Sequence, residues 1–272
     1  MKTTGTYQFP LAIQTVLPEN YRQDTQFQKQ MHTLQELGFT GVELNMAHPD
    51  RFDREDVERF LRDFDLKLTM FASGLTAKTY KLSLSSDDQA IRQEAVKKCR
   101  EIIDFVAGTD AGIILGFFKG GPVADGQAAR TRFRESIEQL SPYTQEKEVR
   151  LIVEATNRYE SAVANSLEDT IELFKDFRNP FLRILPDTFH MNIEEADSFA
   201  ALTKYAEYYD SFHISDNNRF FPGFGAIDFR AVIDFLRKQE YTGYLAIEGN
   251  IHTNFIDDVT TSVEYLRPLL IS

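Results

Sequence analysis

Two kinds of hydrophobic pattern alternate along the chain. Short runs rich in apolar and β-branched residues span 11–16, 41–44, 67–72, 111–117, 150–154, 182–187, 211–215 and 244–248. Gly112-Ile113-Ile114-Leu115 and Leu151-Ile152-Val153 are apolar almost throughout, which suits parallel strands covered by helices. The longer stretches between the runs return apolar residues at helical spacing. One spans 27–37 and ends at Gly38, a natural helix stop. Asp53 is placed to cap a helix over 54–64. Asp87 opens a long helix carrying Ile91, Ala95, Cys99, Ile102 and Val106 that stops at Gly108. Ser166-Leu167-Glu168-Asp169 resembles a capping box, Asp228 precedes Val232 and Leu236, and Asp257 precedes Val263 and Leu266.

Eight strand–helix units in series predict a (β/α)8 TIM barrel, class α/β, as one domain over 1–272. A doubly wound open sheet is the alternative for repeated βα units. It usually places a glycine-rich phosphate loop after its first strand, whereas Val16-Leu17-Pro18-Glu19-Asn20 stands there. No Pro/Gly/Ser-rich linker divides the chain.

Charge narrows the partners. The formal net charge of -12 repels phosphate backbones and anionic membranes, so neither nucleic acid nor membrane is an expected partner. The longest apolar stretch, 111–118, is far too short to span a bilayer, and no leader pattern is visible in 1–16. The one cysteine, Cys99, reads as a small buried hydrophobe and fits a reducing compartment. A cytoplasmic location is expected. Homo-oligomerisation stays open.

In a β/α barrel the reactive groups gather at the carboxyl ends of the strands. Runs five, six and eight end in Glu154, Asp187 and Glu248, and run seven carries His213. Alone, each is an ordinary rim or core residue. Together they bring three carboxylates and one imidazole to the same rim, where the carboxylates would repel one another without a cation. An oxygen-rich set with one imidazole predicts one divalent metal ion, Mn²⁺ or Co²⁺ first, with Mg²⁺ and Zn²⁺ as alternatives.

Longer motifs surround these four residues. Val153-Glu154-Ala155-Thr156-Asn157-Arg158-Tyr159-Glu160 resembles the fifth-strand motif of the xylose-isomerase-like sugar isomerase/epimerase superfamily. The run Asp187-Thr188-Phe189-His190-Met191-Asn192-Ile193-Glu194-Glu195 is similar to a segment of its ketose 3-epimerases. So are His213-Ile214-Ser215-Asp216-Asn217-Asn218-Arg219 with Pro222-Gly223-Phe224-Gly225, the stretch Tyr241 to Glu248, and the second-strand entry Gly38-Phe39-Thr40-Gly41-Val42-Glu43-Leu44. The resemblance covers essentially the whole chain. It implies that Glu154, Asp187, His213 and Glu248 hold the metal, and that Glu154 and Glu248 exchange the substrate proton. It also implies that His190 and Arg219 hold substrate oxygens near the metal, and that Glu160 contacts the sugar's terminal oxygens.

The chain departs from the free-ketose epimerases in having no tryptophan. Gly116-Phe117-Phe118-Lys119-Gly120-Gly121 looks more like the branch that includes 5-keto-L-gluconate epimerase, with Lys119 where that branch has Arg and Ala226 where it often has His. Lys119, at the exit of the fourth run, is therefore expected to face the pocket and favour a carboxylate or phosphate on the substrate.

The implied activity is inversion of a carbon next to the ketone of a keto-sugar, keto-sugar acid or sugar phosphate. One glutamate removes the proton, an enediolate forms, and the other glutamate returns a proton to the opposite face. Aldose–ketose isomerisation uses the same parts and is the alternative. The superfamily's DNA-repair branch needs a richer histidine set and a basic groove, against five histidines here. A non-catalytic sugar-binding protein should lack one of the two glutamates. His48 and His252 follow strand ends without a specific role, and Phe220, Phe221 and Phe224 are expected in a lid or an interface.

Overall fold

The computed structural model describes residues 7–271. Eight parallel strands form one sheet: β1 (Leu11–Val16), β2 (Gly41–Asn45), β3 (Lys67–Ala72), β4 (Gly112–Leu115), β5 (Leu151–Glu154), β6 (Leu182–Leu185), β7 (Ser211–Ile214) and β8 (Tyr244–Ile247). Their order is β6-β5-β4-β3-β2-β1-β8-β7. The two ends of that order meet through one parallel bridge, Asp187 with His213, and through the His213 N–H donating to the Pro186 carbonyl at 2.9 Å. The sheet is thus a nearly closed TIM barrel, as the alternating pattern predicts.

Side chains alternate across each strand. Outward residues such as Leu151 and Val153 pack on the helices in the main core, while Met70, Ile114, Ile152 and Leu185 form a separate small cluster inside the barrel. The helices are started mostly by aspartates. Asp24, Asp53, Asp88, Asp125, Asp197 and Asp228 each accept backbone N–H groups in the first turn of the helix that follows. Part of the acidic charge is therefore spent on helix starts.

Several boundaries differ from the sequence expectation for local reasons. Asp88, not Asp87, caps the long helix Gln89–Val106. Asn254, not Asp257, caps Phe255–Leu270, with Asp257 in the first turn. The fourth run breaks at Gly116, and Phe117–Lys119 forms a short 3-10 turn. Cys99 is buried, and burial pushes its thiol far above its ordinary range. Among the described residues no helix is long and apolar enough to cross a membrane. The leader and single-domain expectations begin at residues 1–6, outside the described residues.

Candidate active site

The inward side chains at the carboxyl ends of β5 to β8 build the centre. Glu154 closes β5, Asp187 lies two residues past β6, His213 sits within β7, and Glu248 directly follows β8. Each offers one ligand atom, and the four atoms lie within 4.8 Å of one another. The first three are buried and Glu248 is half-buried.

Each member is held from behind. Asp187 is also an N-cap: its Oδ1 accepts the N–H of Phe189 at 2.7 Å and of His190 at 3.4 Å, at the start of helix Thr188–Glu194. That leaves Oδ2 for the centre. His213 turns Nδ1 inward, 2.7 Å from Glu248 Oε2, 3.8 Å from Asp187 Oδ2 and 3.9 Å from Glu154 Oε1. Its Nε2 lies 2.8 Å from Oε2 of Glu43, a fully buried carboxylate on β2. Glu154 has room because residue 116 is glycine: a Cβ there would overlap Glu154 Oε2.

Charge explains how so many acids share this volume. Arg219 reaches in from the loop after β7, with Nη1 2.7 Å from Asp187 Oδ2 and Nη2 3.0 Å from Glu248 Oε2. Its backbone is left-handed (φ 63°). The loop is pinned by Asp216, whose carboxylate accepts the N–H groups of Gly223, Gly225 and Ile227. Gly225 fits there because a Cβ would collide with Asp216 and Asn217. Burial opposes charge on His213, yet Glu43 and Glu248 outweigh it and hold the ring well above the usual imidazole range. Burial also opposes ionisation of Glu248, but Arg219 and His213 hold it well below the usual carboxylate range.

These residues fit a divalent ion. Ligands bind such ions at about 2.0–2.2 Å, so donors on opposite sides of one ion stand roughly 4 Å apart. The four donor atoms lie within 4.8 Å of one another, close enough to surround one ion after small adjustments. Glu154 Oε1 is buried without a hydrogen-bond partner among the described residues. An oxygen left bare in this position is what a cation would satisfy.

The expected substrate residues separate into two groups. His190, Arg219 and Glu160 line a cavity of about 470 Å³ together with Glu154 and Glu248. His190 is buried, and its Nδ1 faces the Asn157 backbone N–H at 3.2 Å. A backbone N–H can only donate, so Nδ1 accepts and Nε2 carries the proton, 3.5 Å from Glu154 Oε1. Glu160 is exposed at the rim, where Asn157 Nδ2 donates to its Oε1 at 2.9 Å.

Lys119 corrects the sequence reading. It does not face the pocket. The 3-10 turn after Gly116 swings Phe117 outward and buries Phe118 and Lys119 completely. Lys119 Nζ donates to the Glu154 carbonyl and, at 3.2 Å, to the Ala164 carbonyl. Burial pushes its amine down to about 7, against Glu154, Glu160 and Asp169, which favour the charge. It ties the β5 exit to the following loop. The lysine at the mouth is Lys78, which lines the cavity and lies 4.7 Å over the Phe117 ring.

Glu43 carried no separate signal, because it stands inside an apolar run of the second strand. Gln14, Asn45 and Ser73 line the cavity and had no pattern to mark them. Of the remaining candidates, His48 pairs with the Tyr80 hydroxyl at 3.0 Å. His252 packs against Phe220 and Phe224, while Phe221 is buried in the core.

Known proteins share this architecture. A D-psicose 3-epimerase of Enterocloster bolteae is 26% identical over 229 residues, 82% of this chain and 76% of that protein. A 3-dehydro-D-guloside 4-epimerase of Escherichia coli K12 is 36% identical over 99 residues, covering 36% of this chain and 38% of its own length. The apo crystal structure of a 3-keto-D-glucoside 4-epimerase from E. coli superposes with a TM-score of 0.79 at 23% identity, covering 96% of this chain and 99% of that one. The sequence pattern of the Xylose isomerase-like TIM barrel matches residues 31–269, and the chain belongs to that family.

Proposed function

We propose that this protein is a divalent-metal-dependent sugar epimerase that inverts a carbon next to the ketone of a keto-sugar or keto-sugar acid. The observation that carries the reading is the convergence of Glu154, Asp187, His213 and Glu248, two of which also line the cavity at the barrel mouth. Those four residues would hold the ion. When bound, it would polarise the ketone and favour the negative charge that develops as the adjacent proton leaves.

The protein's own groups do the rest. Glu154 and Glu248 both line the cavity, so each can meet a bound substrate. One carboxylate removes the proton and the other, protonated, returns one. Such general acid–base help contributes about 10²–10⁴-fold in rate. His190 presents a fixed N–H donor to a substrate oxygen. Arg219, once relieved of some carboxylate charge by the ion, donates to another. Glu160 at the rim accepts from hydroxyls at the far end of the sugar.

The size of the cavity leaves the substrate class broad. The cavity of about 470 Å³ falls within the range of roughly 300–1,000 Å³ that encloses drug-sized ligands. That size is compatible with a single ketose and does not by itself exclude a keto-glycoside. The test is a panel of free ketoses, keto-glycosides, keto-acids and sugar phosphates incubated in D₂O with Mn²⁺ or Co²⁺ and followed by NMR. A stereoisomeric product with deuterium at one carbon beside the ketone is the expected result. An aldose labelled at C2 would establish the isomerase alternative, and no turnover with any metal or sugar would leave only sugar binding.

A further inference from the structure

Glu43 is a buried carboxylate that the proton transfer does not use. It lies on β2, fully buried, and its Oε2 is 2.8 Å from Nε2 of the equally buried His213 on β7. Its Oε1 has no hydrogen-bond partner among the described residues. Burying a carboxylate with one bare oxygen is costly, and a core of similar volume could be built without it. The contact therefore calls for a reason beyond packing.

The barrel is built to permit this contact. β7 and β2 are separated by β8 and β1. In the register row that joins them, His213 stands beside Ala246, Ala246 beside Ala12, and Ala12 beside Gly41. Ala246 and Ala12 are fully buried and alternate with the outward core residues Leu245, Ile247, Leu11 and Ile13. In this row the two intervening strands present only methyl groups inward, and the side chain of Glu43, two residues beyond Gly41, can reach across them. The β2–β3 register also shifts between Val42 and Glu43. Such bulges re-aim the side chains beside them.

We propose that Glu43 is a positioning residue for the metal centre: it holds the His213 proton on Nε2 so that the Nδ1 lone pair faces Glu154, Asp187 and Glu248. The inference rests on the metal reading above. A neutral imidazole has one N–H and one lone pair, and the partner of one nitrogen decides which is which. Carboxylates face both ring nitrogens, Glu43 at Nε2 and Glu248 at Nδ1, so each can carry a proton. An ion among the ligands would take the place of the Nδ1 proton, and Glu43 would keep the other on Nε2, with Nδ1 turned toward the ligands at 2.7–3.9 Å. The carboxylate also makes the ring a stronger ligand and stops it from flipping. Partners of this kind are typically worth about 10–100-fold in metal affinity.

The experiment is a calorimetric titration of the metal-stripped protein with Zn²⁺ and Mn²⁺, in wild type, Glu43→Ala and Glu43→Gln, with circular dichroism as the check on folding. For Glu43→Ala the Kd should rise about 10–100-fold, and for Glu43→Gln, which keeps an acceptor but not the charge, by about three- to tenfold. In the ¹⁵N-histidine spectrum of the Zn²⁺-loaded wild type, the His213 proton should reside on Nε2. In Glu43→Ala that N–H signal should be lost to exchange or move to Nδ1 as the ring turns over. Failure of the wild type to bind a divalent ion would remove the metal reading itself. Tight wild-type binding with both variants within about twofold, and an unchanged His213 spectrum, would overturn the positioning role alone. If Glu43→Ala does not fold, Glu43→Gln decides on the same twofold criterion.

Discussion

The two halves of the barrel mouth differ in kind. The β5–β8 half carries three carboxylates, an imidazole and Arg219. Apart from Lys78 at its outer edge, the β1–β4 half faces the same cavity with neutral groups such as Gln14, Asn45, Ser73 and Gly116. Asn45 Nδ2 donates to Gln14 Oε1 at 2.7 Å, and Asn45 Oδ1 accepts from the Leu75 N–H. The charged half is organised around an object smaller than a side chain. The neutral half leaves space for an object larger than one. An enzyme that must grip an ion tightly and a sugar reversibly gains from this division, because the strong field stays on one side.

Breaking the charged half should have the largest effect. Glu154→Gln and Glu248→Gln are each expected to lower kcat by about 10²–10⁴-fold, with metal content measured in parallel, since both are proposed ligands. Asp187→Ala and His213→Ala should lose the metal on dialysis. Variants of both residues that keep wild-type stoichiometry would dissolve the four-ligand centre.

A smaller intrusion from the neutral half comes next. Gly116→Ala adds one methyl where it would overlap Glu154 Oε2, so Glu154 must move. A displacement near 1 Å can cost about 10²-fold in rate. Steady-state kinetics on a folded Gly116→Ala protein should show that loss in kcat. Unchanged kcat would mean that Glu154 has freedom the packing does not suggest.

Lys119 sharpens the comparison through stability. Lys119→Met leaves the carbonyls of Glu154 and Ala164 without their donor, a loss of about 1–3 kcal/mol in a urea titration. The pH dependence has a definite sign. The unfolded lysine keeps its proton up to its ordinary value, while the folded one releases it from about 7. Between those values the unfolded state binds more protons, so wild-type stability rises with pH. The margin over Lys119→Met should widen from pH 7 to pH 9.5, and a margin that narrows would contradict the buried amine.

The smallest effect belongs to the rim. Lys78→Ala should raise KM for anionic sugars by roughly two- to fivefold, the scale of a solvent-screened charge, and leave neutral sugars unchanged. Equal changes for both would show that Lys78 acts only through its contact with Phe117.

What could be read in the sequence follows from where each residue stands in its run. Glu154, Asp187 and Glu248 end apolar runs, and alternation sends them inward, so their convergence was legible once eight βα units were counted. Glu43 was not, because it interrupts a run rather than ending it, and its partner is 170 residues away. Lys119 is misplaced by the sequence pattern because the run through Phe117 has the composition of one continuous strand. The break at Gly116 and the tight turn after it reverse which side chains face solvent. Asp87 and Asp257 missed by one and three positions, since several acids near a helix start compete for one cap.

The single bridge between β6 and β7 makes the barrel a hoop with one narrow joint. Every other neighbouring pair of strands shares a ladder of three or more registered residues, whereas this joint is the Asp187–His213 bridge itself. Both residues are proposed to hold the ion, so the ion would work as a clasp, and closing the hoop and loading the metal would be linked equilibria. Free metal at about a hundred times its Kd would then add roughly 2.7 kcal/mol to the resistance against unfolding. Hydrogen exchange should slow most at the joint: at the His213 amide, and at the amides of β6 and β7 beside it.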